Sequence, residues 1–427
     1  MKILLVHNSY QQRGGEDEVF ANERDLLQSA DHEVVEYVRS NDEIHDYSIW
    51  NNATLSLRTV WAWDSARDLQ ELLKREKPLL AHFHNTFPLI SPSAYSACQE
   101  AGVPVVQTLH NYRLLCPAAT FFRDGHACEE CLGRFLPWPG IVHACYRKSR
   151  GATTVSAAML TINRFLNTWT DKVNIYVALT QFARQKFIEG GLPGDRILVK
   201  PNFVRPNSDV SSGKGDYAVY LGRLSSEKGI FSLLEAWERV GKKVPLRIIG
   251  DGPLRSAIIT FIERREIKNV MLLGVLAHEE AIEVLKLARF MVFPSQWYET
   301  FGMTIAESFA CGVPVIASRT GVMEEIVTDG KTGLHFTAGD ASDLVIKVDW
   351  AWTHPEEMRA MGRAARSEFE SKYTAALNYQ QLMNIYGRAI AEQQKSGKLV
   401  KGGRNSSILS SRHGSGNATD YLTREGK

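Results

Sequence analysis

No apolar run in this 427-residue sequence approaches the ~20 residues of a membrane span, and the opening stretch Ile3-Leu4-Leu5-Val6 is too short for the core of a secretory signal. The expected location is therefore cytoplasmic. Cysteine is scarce, six in all, too few for a disulfide scaffold of this length. An excess of one charge is also missing: 50 Lys and Arg stand against 48 Asp and Glu, a net charge of +2, which argues against holding nucleic acid through bulk charge. The balance breaks locally, because residues 101–200 carry twelve basic side chains and six acidic ones.

What is present fits a soluble globular protein: 44% hydrophobic and 23% charged residues, long enough for two or three domains at ~100–200 residues each. Short β-rich apolar runs at 2–7, 33–38, 79–84, 103–109 and 174–180 alternate with helical periodicity at 18–30, 65–75 and 93–101. A Pro-, Asn-, Ser- and Gly-rich segment at 201–216 follows, and a second series opens at 217–222, 246–250, 270–273, 290–293 and 314–317. This predicts an α/β protein of two Rossmann-like doubly wound domains facing a cleft. The expected divisions are an N-terminal acceptor-side domain over 1–205 with an excursion at 116–150, a C-terminal donor-binding domain over 206–367, one or two helices over 368–393 and a polar disordered tail over 394–427.

Three loops carry the chemistry. In Glu299-Thr300-Phe301-Gly302-Met303-Thr304-Ile305-Ala306-Glu307, a glycine opens a helix whose first amides, at Gly302, Met303 and Thr304, point toward an anion, and two glutamates bracket that pocket. In Gly222-Arg223-Leu224-Ser225-Ser226-Glu227-Lys228-Gly229, the fork of Arg223 and the point charge of Lys228 reach one diphosphate from a loop after a strand. Gly14-Gly15 after the first strand admits close backbone approach to a ligand, yet lacks the G-x-G-x-x-G spacing of a dinucleotide fingerprint, which counts against a dehydrogenase.

Taken together, the GG loop, GRLSSEKG, IGDGP, ETFGMTIAES and GVPVIASRTGVMEEIV resemble the retaining nucleotide-sugar glycosyltransferases of family 4, also called group 1 glycosyl transferases, which have the GT-B fold. The resemblance covers about residues 1–393 and includes the family's E-x7-E signature at Glu299 and Glu307. It implies that Arg223 and Lys228 neutralise the donor diphosphate, that Glu307 accepts the ribose hydroxyls and that Glu299 faces the donor sugar. Gly302, Met303 and Thr304 match the amides that hold phosphate and sugar, Gly15 matches the glycine close to the diphosphate, and His110 matches a histidine beside the sugar. Asp251 in IGDGP lies beside the nucleotide or serves as a turn residue. His84 and His7 end neighbouring strands and ring the acceptor side. The resemblance further implies catalysis without a bound metal, with the leaving phosphate oxygen taking the acceptor's proton.

Two features lie outside that resemblance. Cys116, Cys128, Cys131 and Cys145, spaced C-x11-C-x2-C-x13-C, form either a structural zinc site or four free thiols; Cys98 and Cys311 read as buried helix residues. The same excursion carries Phe135, Leu136, Trp138, Ile141 and Val142 among Arg134, Arg147, Lys148 and Arg150. Such a patch suits an anionic membrane surface, making the protein peripheral at the inner face, or else it closes the excursion's own small core. The expected partners are a nucleotide-sugar donor and a saccharide or lipid-linked acceptor of surface polysaccharide synthesis, not nucleic acid. The rivals are a non-transferring enzyme of the same fold, such as a nucleotide-sugar 2-epimerase, and a zinc-bearing nucleic-acid-binding protein.

Overall fold

The computed structural model describes residues 1–11, 14–44, 49–205, 210–211, 213 and 215–409. Residues 206–209, 212 and 214 of the expected linker, and 410–427 of the expected tail, lie outside these. The N-terminal domain contains β1 (Lys2–Ser9), β2 (Glu33–Ser40), β3 (Leu80–Phe83), β4 (Val105–Thr108), β5 (Phe122–Arg123), β6 (His126–Ala127), β7 (Ile175–Ala178) and β8 (Ile197–Val199). Six of these run parallel in the order β2-β1-β3-β4-β7-β8, while β5 and β6 form an antiparallel hairpin of their own within the excursion. The C-terminal domain contains β9 (Ala218–Leu221), β10 (Leu246–Ile249), β11 (Val270–Gly274), β12 (Phe290–Phe293), β13 (Val315–Arg319) and β14 (Gly333–Thr337), parallel in the order β11-β10-β9-β12-β13-β14. The two domains expected from the alternation are present.

Both sheets are covered on both faces, which is why their strands read as continuous apolar runs rather than alternating ones. In β1, Leu4 and Val6 enter one apolar cluster and Ile3 and Leu5 the opposite one. In β9, Val219 faces one side while Ala218 and Tyr220 face the other.

The chain ends across both domains. The helix Pro355–Lys372 packs on the C-terminal domain through Ala365 and Phe369. The helix Ala375–Leu409 returns to the N-terminal sheet, where Leu382, Ile385, Tyr386 and Ala389 cover Ile3 and Leu5. It extends past the boundary expected at 393, so the segment 394–409 of the expected tail is helical.

A buried polar chain fastens this last helix. Glu23 and Lys200, both without solvent exposure, pair at 2.5 Å, and Lys200 also donates to Asn378 at 3.2 Å. Asn378 in turn donates to the Pro201 carbonyl at 2.7 Å, and the Tyr386 hydroxyl lies 2.8 Å from His82 Nδ1. Removing one partner of such a pair leaves an uncompensated buried charge, at a cost of about 3–5 kcal/mol. Lys200→Met should therefore lower the urea midpoint sharply, and adding Glu23→Gln should restore part of the loss; additive losses in the double variant would show that the pair is not coupled.

Candidate active site

In a doubly wound sheet, ligands bind beyond the carboxyl ends of strands where the order reverses. The N-terminal sheet reverses between β1 and β3, and the C-terminal sheet between β9 and β12. The loops leaving those four strands hold Gly14-Gly15, His84, Arg223 to Gly229, and Glu299 to Gly302 respectively. Two of the three loops singled out from sequence thus leave switch-point strands of one domain and the third leaves its counterpart in the other.

On the C-terminal side, Lys228 Nζ sits 2.5 Å from Glu299 Oε1, and Ser295 donates to the same oxygen at 2.8 Å. Glu299 is buried, whereas Lys228 is partly exposed and Arg223 exposed. Gly229, at φ 68°, seats this loop on the end of β12: a Cβ there would meet the Pro294 carbonyl at 1.9 Å. Gly302 adopts φ 97° as it caps the helix Met303–Ala310, a conformation that favours glycine, and the partly buried Met303 and Thr304 begin the helix. Glu307, in the second turn, is buried, and that burial, with Glu18 adding to it, pushes its carboxyl up to about 8.

The facing wall is the helix Gly15–Ser29. Asp17 accepts from the Gly14 amide at 2.7 Å and pairs with His7 Nε2 at 2.8 Å, so the strand-end histidine braces the glycine turn. A Cβ on Gly15 would meet nothing within 4 Å; the room beside it is open to a ligand. The two walls are tied by Tyr112, which donates to the Glu299 carbonyl at 3.1 Å, and by Thr300, which donates to the His110 carbonyl at 2.8 Å. Glu325 accepts from the Gln181 and Phe182 amides at 2.9 Å each, capping the helix Gln181–Glu189 from the other domain.

His110 Nε2 lies 2.9 Å from His84 Nδ1, and His84 Nε2 faces Glu23 Oε2 at 3.4 Å. Burial holds both imidazoles well below the usual histidine range, hence neutral. A lone pair on His84 Nε2 would face the carboxylate that Lys200 holds, so the proton belongs on that nitrogen. His84 Nδ1 then accepts from His110 Nε2–H, leaving His110 Nδ1 as an acceptor. These histidines line a pocket with Asn85, Gln107, Asn111 and Arg113 on the N-terminal side.

Asp251 is exposed and accepts from the Gly252 amide at 2.7 Å, which is the turn role. Cys98 and Cys311 are both buried, as expected; Cys98 lies within the helix Ser93–Glu100, whereas Cys311 is the cap just past the helix Met303–Ala310. Phe135, Leu136, Trp138 and Val142 are exposed, Phe135 at 57% and Trp138 at 50%, so they do not close a core within the excursion.

Two other residues join the site without a sequence signal strong enough to mark them. Glu18 and His278 bring ligand atoms within 4.8 Å of each other and of Glu307, from both sides of the cleft. Three such groups suit a cation or a set of hydroxyl donors. Glu23, His82 and His84 also converge, but the Lys200 ammonium already occupies the carboxylate and His82 is engaged at both nitrogens.

Residues 10–208 match the family described as Glycosyltransferase Family 4, and residues 205–368 the family described as Glycosyl transferases group 1. The D-rhamnosyltransferase WbpZ of Pseudomonas aeruginosa is 30% identical over 161 residues, covering 37% of this chain and 42% of that protein. The O-antigen chain mannosyltransferase C of Escherichia coli is 28% identical over 173 residues, covering 40% and 46%. The chain thus spans less than half the length of these curated relatives. The crystal structure of Anabaena HepE in complex with UDP and glucose superposes with a TM-score of 0.64 at 17% identity over 90% of this chain and 98% of that one, which shows the same two-domain GT-B architecture.

The buried Glu307 has a stability signature. Its carboxyl holds a proton in the folded state up to about pH 8 and in the unfolded state only to its ordinary value of 4.5, so folding takes up a proton between these limits and stability falls as pH rises through them. Glutamine cannot titrate. The melting temperature of ligand-free Glu307→Gln relative to the unsubstituted protein should therefore rise from about pH 5 to pH 8; parallel curves would place the carboxyl outside this environment.

Proposed function

Since the chain belongs to the family 4 glycosyltransferases, also called group 1 glycosyl transferases, we propose that it transfers a sugar from a nucleoside diphosphate sugar to a saccharide or lipid-linked saccharide acceptor, with retention at the anomeric carbon. The observation that carries this reading is the convergence of Lys228, Glu299 and the helix-start amides of 302–304 at the ends of β9 and β12, opposite the open space at Gly15. The relatives named for rhamnosyl and O-antigen mannosyl transfer support surface polysaccharide synthesis as the setting.

The departing diphosphate gains negative charge as the glycosidic bond breaks. Lys228, Arg223 and the positive end of the helix Met303–Ala310 oppose that charge from fixed positions, which stabilises the transition state without reorganisation. Glu307 and His278 receive the ribose hydroxyls, and His110 Nδ1 accepts a hydroxyl proton of the sugar. The acceptor oxygen attacks the anomeric carbon from the face that the phosphate leaves, and its proton passes to the leaving phosphate oxygen. No protein nucleophile and no metal ion take part in these steps. A nucleotide-sugar 2-epimerase would use the same pocket but release free sugar or an epimerised donor instead of a glycosylated acceptor.

Among nucleoside diphosphates and their sugars, one base should raise the melting temperature, because a ligand bound only by the folded state stabilises it. With that donor, Lys228→Ala and Arg223→Ala should each lower transfer more than roughly tenfold. Rates equal to those of the unsubstituted protein in either variant would remove that residue from the site. Proton NMR of the product should show the donor's anomeric configuration, and inversion would overturn the assigned chemistry.

We also propose that the excursion docks on an anionic membrane, where a lipid-linked acceptor resides. Among the described residues no helix is long and apolar enough to cross one. The exposed Phe135, Leu136, Trp138 and Val142 adjoin the exposed cations Arg134, Arg147, Lys148 and Arg150, each worth roughly 1 kcal/mol near an anionic leaflet. The protein should sediment with anionic vesicles and detach in high salt. Arg147→Glu, Lys148→Glu and Arg150→Glu together should abolish sedimentation, and equal recovery with anionic and neutral vesicles would refute the docking.

A further inference from the structure

Between β4 and the helix Arg150–Phe165, the chain leaves the sheet for an excursion with little regular structure of its own: the hairpin β5–β6 and the short helix Trp138–Val142. A segment with so little regular structure is commonly held by a cross-link. The only cysteines in it are Cys116, Cys128, Cys131 and Cys145. All four line a single small cavity together with Phe121 and Gly140, although they are up to 29 positions apart in the chain. None is paired in a disulfide.

The backbone around them is built in a repeated way. Left-handed residues follow three of the four cysteines at short range: Ala119 (φ 68°) after Cys116, Gly133 (φ 70°) after Cys131, and Arg147 and Lys148 (φ 55° and 53°) after Cys145. Left-handed backbone is uncommon for Ala, Arg and Lys, so the chain beside these cysteines is held in conformations that loops seldom adopt unaided. At Gly140 a side chain would begin 3.1 Å from the Pro117 ring and 3.5 Å from the Cys131 sulfur, so the glycine lets the chain pass close to that sulfur.

We propose that Cys116, Cys128, Cys131 and Cys145 bind one zinc ion as four thiolates, and that this ion fixes the excursion against the base of the Glu299 loop. Four thiols lose their protons to solvent as the ion enters, and tetrahedral Zn–S bonds of about 2.3 Å close the loops around it. The fastening runs through aromatic rings and one ion pair. Phe121, on the cavity wall, packs on Tyr112 at 4.9 Å between centroids and on Tyr298 at 6.4 Å. Tyr112 is the donor to the Glu299 carbonyl, and Tyr298 is the residue before Glu299. Glu129, inside the C-x2-C loop, pairs with Lys186 at 2.9 Å on the helix that Glu325 caps from the other domain. The ion acts on the structure at a distance from the reacting atoms and is not part of the catalytic machinery. That it supports Glu299 rests on the sugar-transfer reading; that it is bound does not.

The test is elemental analysis of the full chain purified without added metal, with release of zinc followed as a mercurial reagent titrates the thiols. About one equivalent of zinc per chain is expected, released as four thiols react, and the stripped chain should be cut by protease within 116–150. Cobalt restored to the stripped chain should show the absorption of tetrahedral thiolate coordination. If Cys128→Ser fails to fold, this titration of the unsubstituted chain still decides the matter. Folded, monodisperse protein with less than about a tenth of an equivalent of any metal, and no cobalt uptake, overturns the site. Zinc bound in the expected ratio, with transfer absent for every donor, retains the site and refutes the sugar-transfer reading instead.

Discussion

The Lys228–Glu299 pair is the interaction around which the cleft is organised. It joins the loop after β9 to the loop after β12, the two strands that flank the switch point, and the Gln296 amide, donating to the Glu227 carbonyl at 2.8 Å, joins the same two loops. Gly229 allows the first to lie against Pro294, and Ser295 donates to the same Glu299 oxygen that Lys228 holds. In the proposed reaction an arriving diphosphate would offer Lys228 a stronger anionic partner and leave Glu299 to turn toward the sugar. On that proposal the pair stands in for the ligand's charge, since Lys228 compensates the buried Glu299 carboxylate in the ligand-free chain.

A second polar chain serves the opposite domain. Lys200 compensates Glu23, the Glu23 carboxylate faces His84 at 3.4 Å, and His84 is hydrogen-bonded to His110. Lys200 and Tyr386 also tie this chain to the linker and the last helix. The tautomer of a residue at the site therefore depends on a helix whose packing surface is the far face of the N-terminal sheet. Bonds such as Thr300 to His110 and Tyr112 to Glu299 join the two polar chains across the cleft.

Much of this was legible in sequence because parallel strands covered on both faces are nearly unbroken apolar runs, and because glycines at 14–15, 229 and 302 punctuate the loops that follow them. β8 and β14 escaped notice: β8 has three residues, and β14 contains Gly333 and His335, which break the apolar pattern. The return of the last helix to the first domain was not legible either, since its partners Ile3, Leu5 and Lys200 are remote in sequence. Glu18 and His278 stand in the first turns of the helices Gly15–Ser29 and His278–Lys286, and only the facing of the two domains brings them to Glu307. The choice between core and surface for Phe135 and Trp138 turned on exposure, which periodicity cannot supply in so irregular a segment.

The central claim is that a donor diphosphate takes the place of Glu299 beside Lys228. A crystal structure of the chain with the nucleoside diphosphate it binds tests this most directly. The account predicts Lys228 Nζ against phosphate oxygens, separated from Glu299, with the amides of Met303 and Thr304 directed at the same group. A diphosphate bound elsewhere, with the 2.5 Å pair unchanged, would contradict it.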